Sequence, residues 1–223
     1  MLQNLYLQLK NKIKEAVLLD AKEIRSIAIS EQFYVCALVT DDCYSTLFFA
    51  ANSEEAMMEI VNDNSDNDWK KWYPEEWKYL NYGLGGNSRV IDVSRFLNEI
   101  QGEIGDQDFE RYKSDVECVI LEAIDSIKQS LREIFSNEAL YIFLSMSDDD
   151  YASVLENKSA KVLNSTEQYQ FFVNRYKTEN DFRIEAEDAW QQKNYTLFVD
   201  LMSNIKKISS LDKKKIDFAK SKI

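Results

Sequence analysis

The stretch that decides the fold reads Phe33-Tyr34-Val35-Cys36-Ala37-Leu38-Val39, followed by Thr40-Asp41-Asp42. A run this short that is continuously apolar, β-branched or aromatic predicts a strand covered on both faces. Asp41-Asp42 then predicts a turn. Residues 44–51 return as a second strand, and the short connection implies antiparallel pairing. Working outward, Leu2, Leu5, Leu9, Ile13, Ala16, Val17 and Ile24 recur at helical spacing on the N-terminal side. They predict an amphipathic helix whose apolar stripe is interrupted by Asp20 alone. On the other side, Asn52 is placed to cap a helix with Glu55 three residues on, the reciprocal capping-box arrangement.

Residues 62–82 set Trp69, Trp72, Tyr73, Trp77 and Tyr79 among Asp63, Asp66, Asp68, Glu75 and Glu76, with Pro74, the only proline, at a predicted helix start. These aromatics either clamp a helix to the sheet or form a recognition face, since Trp and Tyr anchor both cores and interfaces. All five glycines fall between residues 83 and 105, which predicts a flexible joint or loop there. A long amphipathic helix follows, with Phe109, Tyr112, Val116, Ala123, Ile127 and Leu131 on one face. Residues 139–147 then predict a third buried strand. Helix, strand and acidic turn recur at an offset of 107 residues, Thr40-Asp41-Asp42 echoing Ser147-Asp148-Asp149-Asp150. From Glu179 the pattern is helical only, with a turn at Lys193-Asn194. Ile205, Ile208, Leu211, Ile216 and Phe218 predict a buried face there, with the interleaved lysines outward. The expected architecture is therefore α+β, a small, mainly antiparallel sheet from residues 33–40, 44–51 and 139–147 covered by helices. The expected domains are an α+β body over 1–178 and a helical cap over 179–223.

Composition narrows the chemistry. The 223 residues include no histidine, which removes Ser-His-Asp hydrolases, papain-like thiol enzymes and histidine-ligated metal centres. Cys36, Cys43 and Cys118 form no CxxC pair and suit reduced thiols. Cys36 lies in the predicted strand, Cys118 on or near an apolar helix face, and the exposed Cys43 is weakened as a thiolate by its aspartate neighbours. No apolar run approaches membrane-spanning length, and the N-terminal residues lack the pattern of a secretion signal, so a cytoplasmic location is expected. Net charge is −12. Residues 1–30 carry five basic and three acidic groups and residues 201–223 seven and two, which leaves −19 on residues 31–200. Such a body repels nucleic-acid phosphate and attracts basic surfaces, or serves solubility alone.

Two sets of candidate residues emerge. Asp63, Asp66, Asp68, Trp69, Trp72, Glu75 and Glu76 form the candidate partner-binding set, an aromatic ridge on acidic ground. Asp41, Asp42, Asp148, Asp149 and Asp150 follow strands and could supply hard oxygen ligands to Mg²⁺ or Ca²⁺ if those strands are neighbours, or they are ordinary acidic turns. Residues 63–74 fail as an EF-hand loop at Asp68 and Pro74, and Gly83-Leu84-Gly85-Gly86 lacks the third glycine of a dinucleotide fingerprint. No cofactor is expected and no catalytic residue is assigned.

In order, FYVCALVTDDCYSTLFFAANSEE (33–55), Trp72-Tyr73-Pro74-Glu75-Glu76-Trp77 and YIFLSMSDDD (141–150) resemble the bacterial family known as domain of unknown function 4303. The resemblance covers roughly residues 5–177, with Tyr73 where a small residue is expected and a longer acidic insertion before Trp69. It implies an α+β domain and a role in immunity to polymorphic toxins. The expectation joining both lines is a non-enzymatic acidic protein that neutralises a cognate toxin or other basic protein, such as a nuclease. The alternatives are a metal-dependent hydrolase using the aspartate turns and an intracellular adaptor.

Overall fold

Strand β1 (Phe33–Thr40) is buried at all eight positions, as an uninterrupted apolar run requires. It is central in a computed structural model that describes residues 2–61, 68–80, 88–104, 108–147, 150–206 and 208–223. The sheet has the order β3-β2-β1-β4. β2 (Leu47–Ser53) returns antiparallel to β1, and β3 (Tyr79–Leu80) pairs antiparallel with β2. β4 (Tyr141–Met146) runs parallel to β1, with Val35 opposite Tyr141 and Thr40 opposite Met146. The fold is thus α+β with a mainly antiparallel sheet.

Alternation along β1 divides the core. Cys36 and Leu38 face the helices α1 (Leu2–Ile27), α3 (Arg89–Gly102) and α4 (Phe109–Phe135), whose Leu9, Ile13, Leu97, Val116 and Ile120 fill that side. Val35, Ala37 and Val39 face the other layer, built from Met57 of α2 (Glu54–Val61), Trp72, Trp77 and Phe172. A register shift between Phe33 and Val35 returns Phe33 to the α4 side, where its ring lies 4.6 Å from that of Phe135.

Asp20 breaks the apolar stripe of α1 because it caps α3. Fully buried, its carboxylate accepts hydrogen bonds from Ser88 Oγ (2.5 Å) and the backbone N–H groups of Arg89 (3.0 Å) and Val90 (3.1 Å). The two N–H groups are donors that the first turn of a helix leaves without an internal partner. The outer edge of β4 is closed in a similar way by side chains of α5 (Ala152–Leu163) and the residues after it. Asn164 both donates to Ile142 O (2.7 Å) and accepts from Ile142 N (2.9 Å). Ser159 Oγ accepts from Leu144 N (2.8 Å), and Gln168 of α6 (Thr166–Val173) donates to Ala139 O (2.8 Å).

Several expectations are corrected. Asn52 is a buried β2 residue donating to Tyr34 Oη (3.1 Å), and the residue that caps α2 is Ser53, whose Oγ accepts from Ala56 N. Glu55 accepts from Gln32 N (2.8 Å), so it closes no capping box. The aromatic segment is not an α-helix but two 3-10 turns, Asp68–Trp72 and Pro74–Glu76, the proline starting the second. β3 was not foreseen, two residues being too short to show alternation. The glycine-bearing stretch contains all of α3, whose only glycine is its last residue, Gly102. Cys118 is exposed.

The described chain divides into two compact units, Met1–Val173 and Asn174–Ile223. The second contains α7 (Glu179–Gln191), α8 (Tyr195–Ser203) and α9 (Ser210–Lys220) around Phe182, Ala186, Phe198, Leu201 and Met202. Lys193 turns the chain between α7 and α8 with φ 58°. Of the predicted buried face of the tail, Ile205 is buried and Ile208 and Ile216 are half-buried, whereas Leu211 and Phe218 are exposed; in α9 only Ala219 is fully buried. The face shifts because Ala219 and half-buried Ile216 point inward, while Phe218 lies at the margin of the cluster, 5.8 Å from the rings of Trp190 and Tyr195.

Candidate functional site

Of the partner-binding set, the structure separates the tryptophans. Trp72 is 3% exposed and packs edge-on against Tyr34, Tyr141 and Phe172 at 6.2, 5.1 and 5.5 Å, so it belongs to the core and is corrected out of any contact surface. Trp69 is 46% exposed and lies edge-on to Tyr73, 41% exposed, at 5.4 Å. Phe171, 57% exposed, lies tilted against Trp72 at 6.2 Å. The 3-10 turns explain this arrangement. A tight turn centred on Lys70 and Lys71 sends Trp72 inward and leaves Trp69 outside, with Lys70 over its ring at 5.6 Å. Glu76 is exposed and pairs with Lys70 at 3.3 Å, and Glu75 is half-buried. Asp63 and Asp66 lie outside the described residues, and Asp68 opens the first 3-10 turn.

The acidic turns follow β1 and β4, and those strands are adjacent and parallel, so both turns leave the same end of the sheet. Asp41 is nonetheless occupied locally. Its carboxylate accepts from Ser45 N (2.7 Å), Ser45 Oγ (2.5 Å) and Thr46 Oγ1 (2.7 Å), the self-bonded turn expected of aspartate. Asp148 and Asp149 lie outside the described residues, and Asp42 and Asp150 are exposed. Among the described residues no group of three or more acidic or thiol side chains is placed to hold a metal ion.

Between these turns the structure adds a residue that sequence reasoning missed. Glu117, on α4, is buried and accepts from Tyr44 Oη (2.6 Å), Tyr151 Oη (3.4 Å) and Lys158 Nζ. With Asp42, Lys113 and Met146 it lines a cleft of about 430 Å³. Tyr44 adopts the left-handed conformation (φ 53°), sparsely populated for a residue with a Cβ, and its carbonyl accepts from Tyr112 Oη (3.0 Å). Burial and the Glu117 charge raise the Tyr151 phenol pKa, and the hydrogen bond to Glu117 raises that of Lys158. Cys43, beside the cleft, has its thiol pKa raised by Asp42, so it is a poor nucleophile at neutral pH. With both oxygens already accepting, Glu117 ties the β1–β2 turn, α4 and α5 together and forms the polar floor of the cleft. Only its place within the apolar face of α4, one residue after Val116, could have signalled it.

No helix among the described residues is long and apolar enough to cross a membrane. No curated protein and no solved structure matches the chain. The α+β body with its hairpin, its aromatic 3-10 turns and the Glu117 cleft falls largely within residues 13–165, the span matched by the family model described as domain of unknown function (DUF4303), and the chain belongs to that family.

Proposed function

We propose that this chain is a non-enzymatic acidic binding protein of the bacterial cytoplasm, an immunity protein that neutralises a cognate toxin or other basic protein such as a nuclease. The observation that carries this reading is the exposed pair Trp69–Tyr73, with the exposed Phe171 held separately against Trp72. Three large aromatics held outside a well-filled core are the kind of side chain that anchors protein interfaces. The charge supports it as well: a net −12 favours rapid, steered approach of a basic partner and repels nucleic acid itself. A nuclease needs a basic groove for phosphate, and an acidic protein fills such a groove with carboxylates.

The test is co-expression with the product of the neighbouring reading frame. Growth should be arrested by that product alone, restored by this chain, and restored less well by the Trp69→Ala/Tyr73→Ala variant. A neighbour that is harmless, or whose toxicity this chain leaves unchanged, overturns the reading. Reversing Asp63, Asp66 and Asp68 to lysine should slow association and reduce its dependence on salt.

A metal-dependent hydrolase is the second reading, and one observation favours it: the turns bearing Asp41, Asp42 and Asp150 leave adjacent parallel strands at the same end of the sheet. Calorimetry with millimolar Mg²⁺, Mn²⁺ and Ca²⁺ tests it, and absence of heat in all three ends it.

A further inference from the structure

A cavity of about 450 Å³ opens where the first turns of α1 meet the start of α4, apart from both the Trp69 face and the Glu117 cleft. Its floor is apolar: Leu2, Tyr6, Ile104 and Val119, with the buried ring of Tyr112 behind. Its mouth carries Glu103, Asp108, Asp115 and Arg111. Arg111 and Asp115 pair at 3.8 Å. Glu103 and Asp108 remain. Among the described residues neither has an ion pair, and Asp108, although it stands at the N-cap position of α4, makes no side-chain capping bond. Two carboxylates that have no ion pair among the described residues therefore rim an apolar recess. A second cavity, of about 240 Å³, shares Glu103 and adds Leu5, Phe96 and Glu99, so the apolar floor and acidic rim continue along the α1–α3 side.

An occupant that matches such a groove has an apolar stem and a cationic head. Lysine and arginine side chains have that construction, burying their methylenes while the charge stays at the rim. We propose that this groove is a docking site for an arginine or lysine side chain presented by a basic protein partner, a contact separate from the Trp69 face. The nature of the partner rests on the function proposed above, whereas the recess and its preference for a cation with an apolar stem do not.

The experiment is an NMR titration of the full chain with four small probes: the N-acetyl amides of arginine, lysine, norleucine and glutamate. The first two should give saturable shifts at Tyr6, Ile104 and Val119 in the millimolar range, with norleucine weaker and glutamate inert. Glu103→Gln and Asp108→Asn should each weaken arginine binding by up to about fivefold, as expected for removal of one partly exposed charge. Glu133→Gln, at the far end of α4, should leave it unchanged. No shift with arginine, equal binding of norleucine, or indifference to both carboxylate variants overturns the docking site. Failure of growth rescue alongside a positive titration would overturn the immunity reading and leave the groove standing.

Discussion

Asp20 and Glu31 show how single carboxylates hold this fold, and each gives a measurable consequence. Asp20→Ala removes, in a fully buried place, the acceptor for Ser88 Oγ and Arg89 N and one of the two acceptors of Val90 N, which keeps Ser88 Oγ. The expected loss is about 3 kcal/mol, read as a lower urea midpoint with an unchanged slope; Asp20→Asn, which keeps one acceptor oxygen, should lose less. Glu31 accepts from Ser53 Oγ and pairs with Lys78 at 3.3 Å, joining the entry to β1 with the end of β2 and the approach to β3. Burial acts to raise its pKa, but the bonds from Ser53, Tyr79 and Lys78 outweigh it and the net shift is downward. A lowered folded value means that the contribution is complete above the unfolded value near 4.5 and is lost as pH falls through the folded one. Glu31→Gln should therefore destabilise at neutral pH and flatten the acid limb of a stability-against-pH curve. Sequence periodicity exposed Asp20 as an interruption but not its reason, because the donors it serves lie 68 to 70 residues away. Glu117 was hidden for the same cause: its partners Tyr44, Tyr151 and Lys158 come from two other elements.

At the scale of elements, the hairpin, the long helices and β4 were legible because each carries its own period, 2 or 3.6 residues, over several repeats. β3 and the 3-10 turns carry none, and α3 was masked by the glycines on either side of it. The pairing of β4 with β1 was outside the reach of pattern, since parallel partners need not be near in sequence. Once paired, β4 is the sheet's edge, and Asn164, Ser159 and Gln168 take the place of a further strand. Unprotected edges invite pairing with another chain. Asn164→Ala combined with Ser159→Ala should leave Ile142 and Leu144 amides unpaired and convert a fraction of the protein to dimers or larger species. Light scattering after size exclusion checks this, and a variant with the wild-type elution profile would mean that the edge is closed by other means.

For the molecule as a whole, residues 174–223 carry eleven basic and eight acidic groups, so the first 173 residues hold −15 of charge. That first unit has its own core on both faces of the sheet and contains the whole family match. A chain ending at Val173 should keep the circular dichroism and cooperative unfolding of the sheet-containing unit. Deleting only residues 205–223 should instead strip Ile205, Ile216 and Ala219 from the second unit's cluster, lower its melting temperature and increase ANS binding. The charge asymmetry could be read from the sequence, since it needs only counting; the exposed Phe218 could not, since which side of a short helix is covered depends on its neighbours. The parallel pairing also has a consequence in time. β1 finds β2 as soon as the hairpin is synthesised, but its other edge waits for Tyr141, about a hundred residues later. At ~5–20 residues per second a ribosome takes roughly 5–20 s to deliver that partner. Throughout that interval the most apolar strand of the chain is half-paired, so yield in a fast-translating host should depend on chaperone supply and on growth temperature more than the stability of the finished protein would suggest.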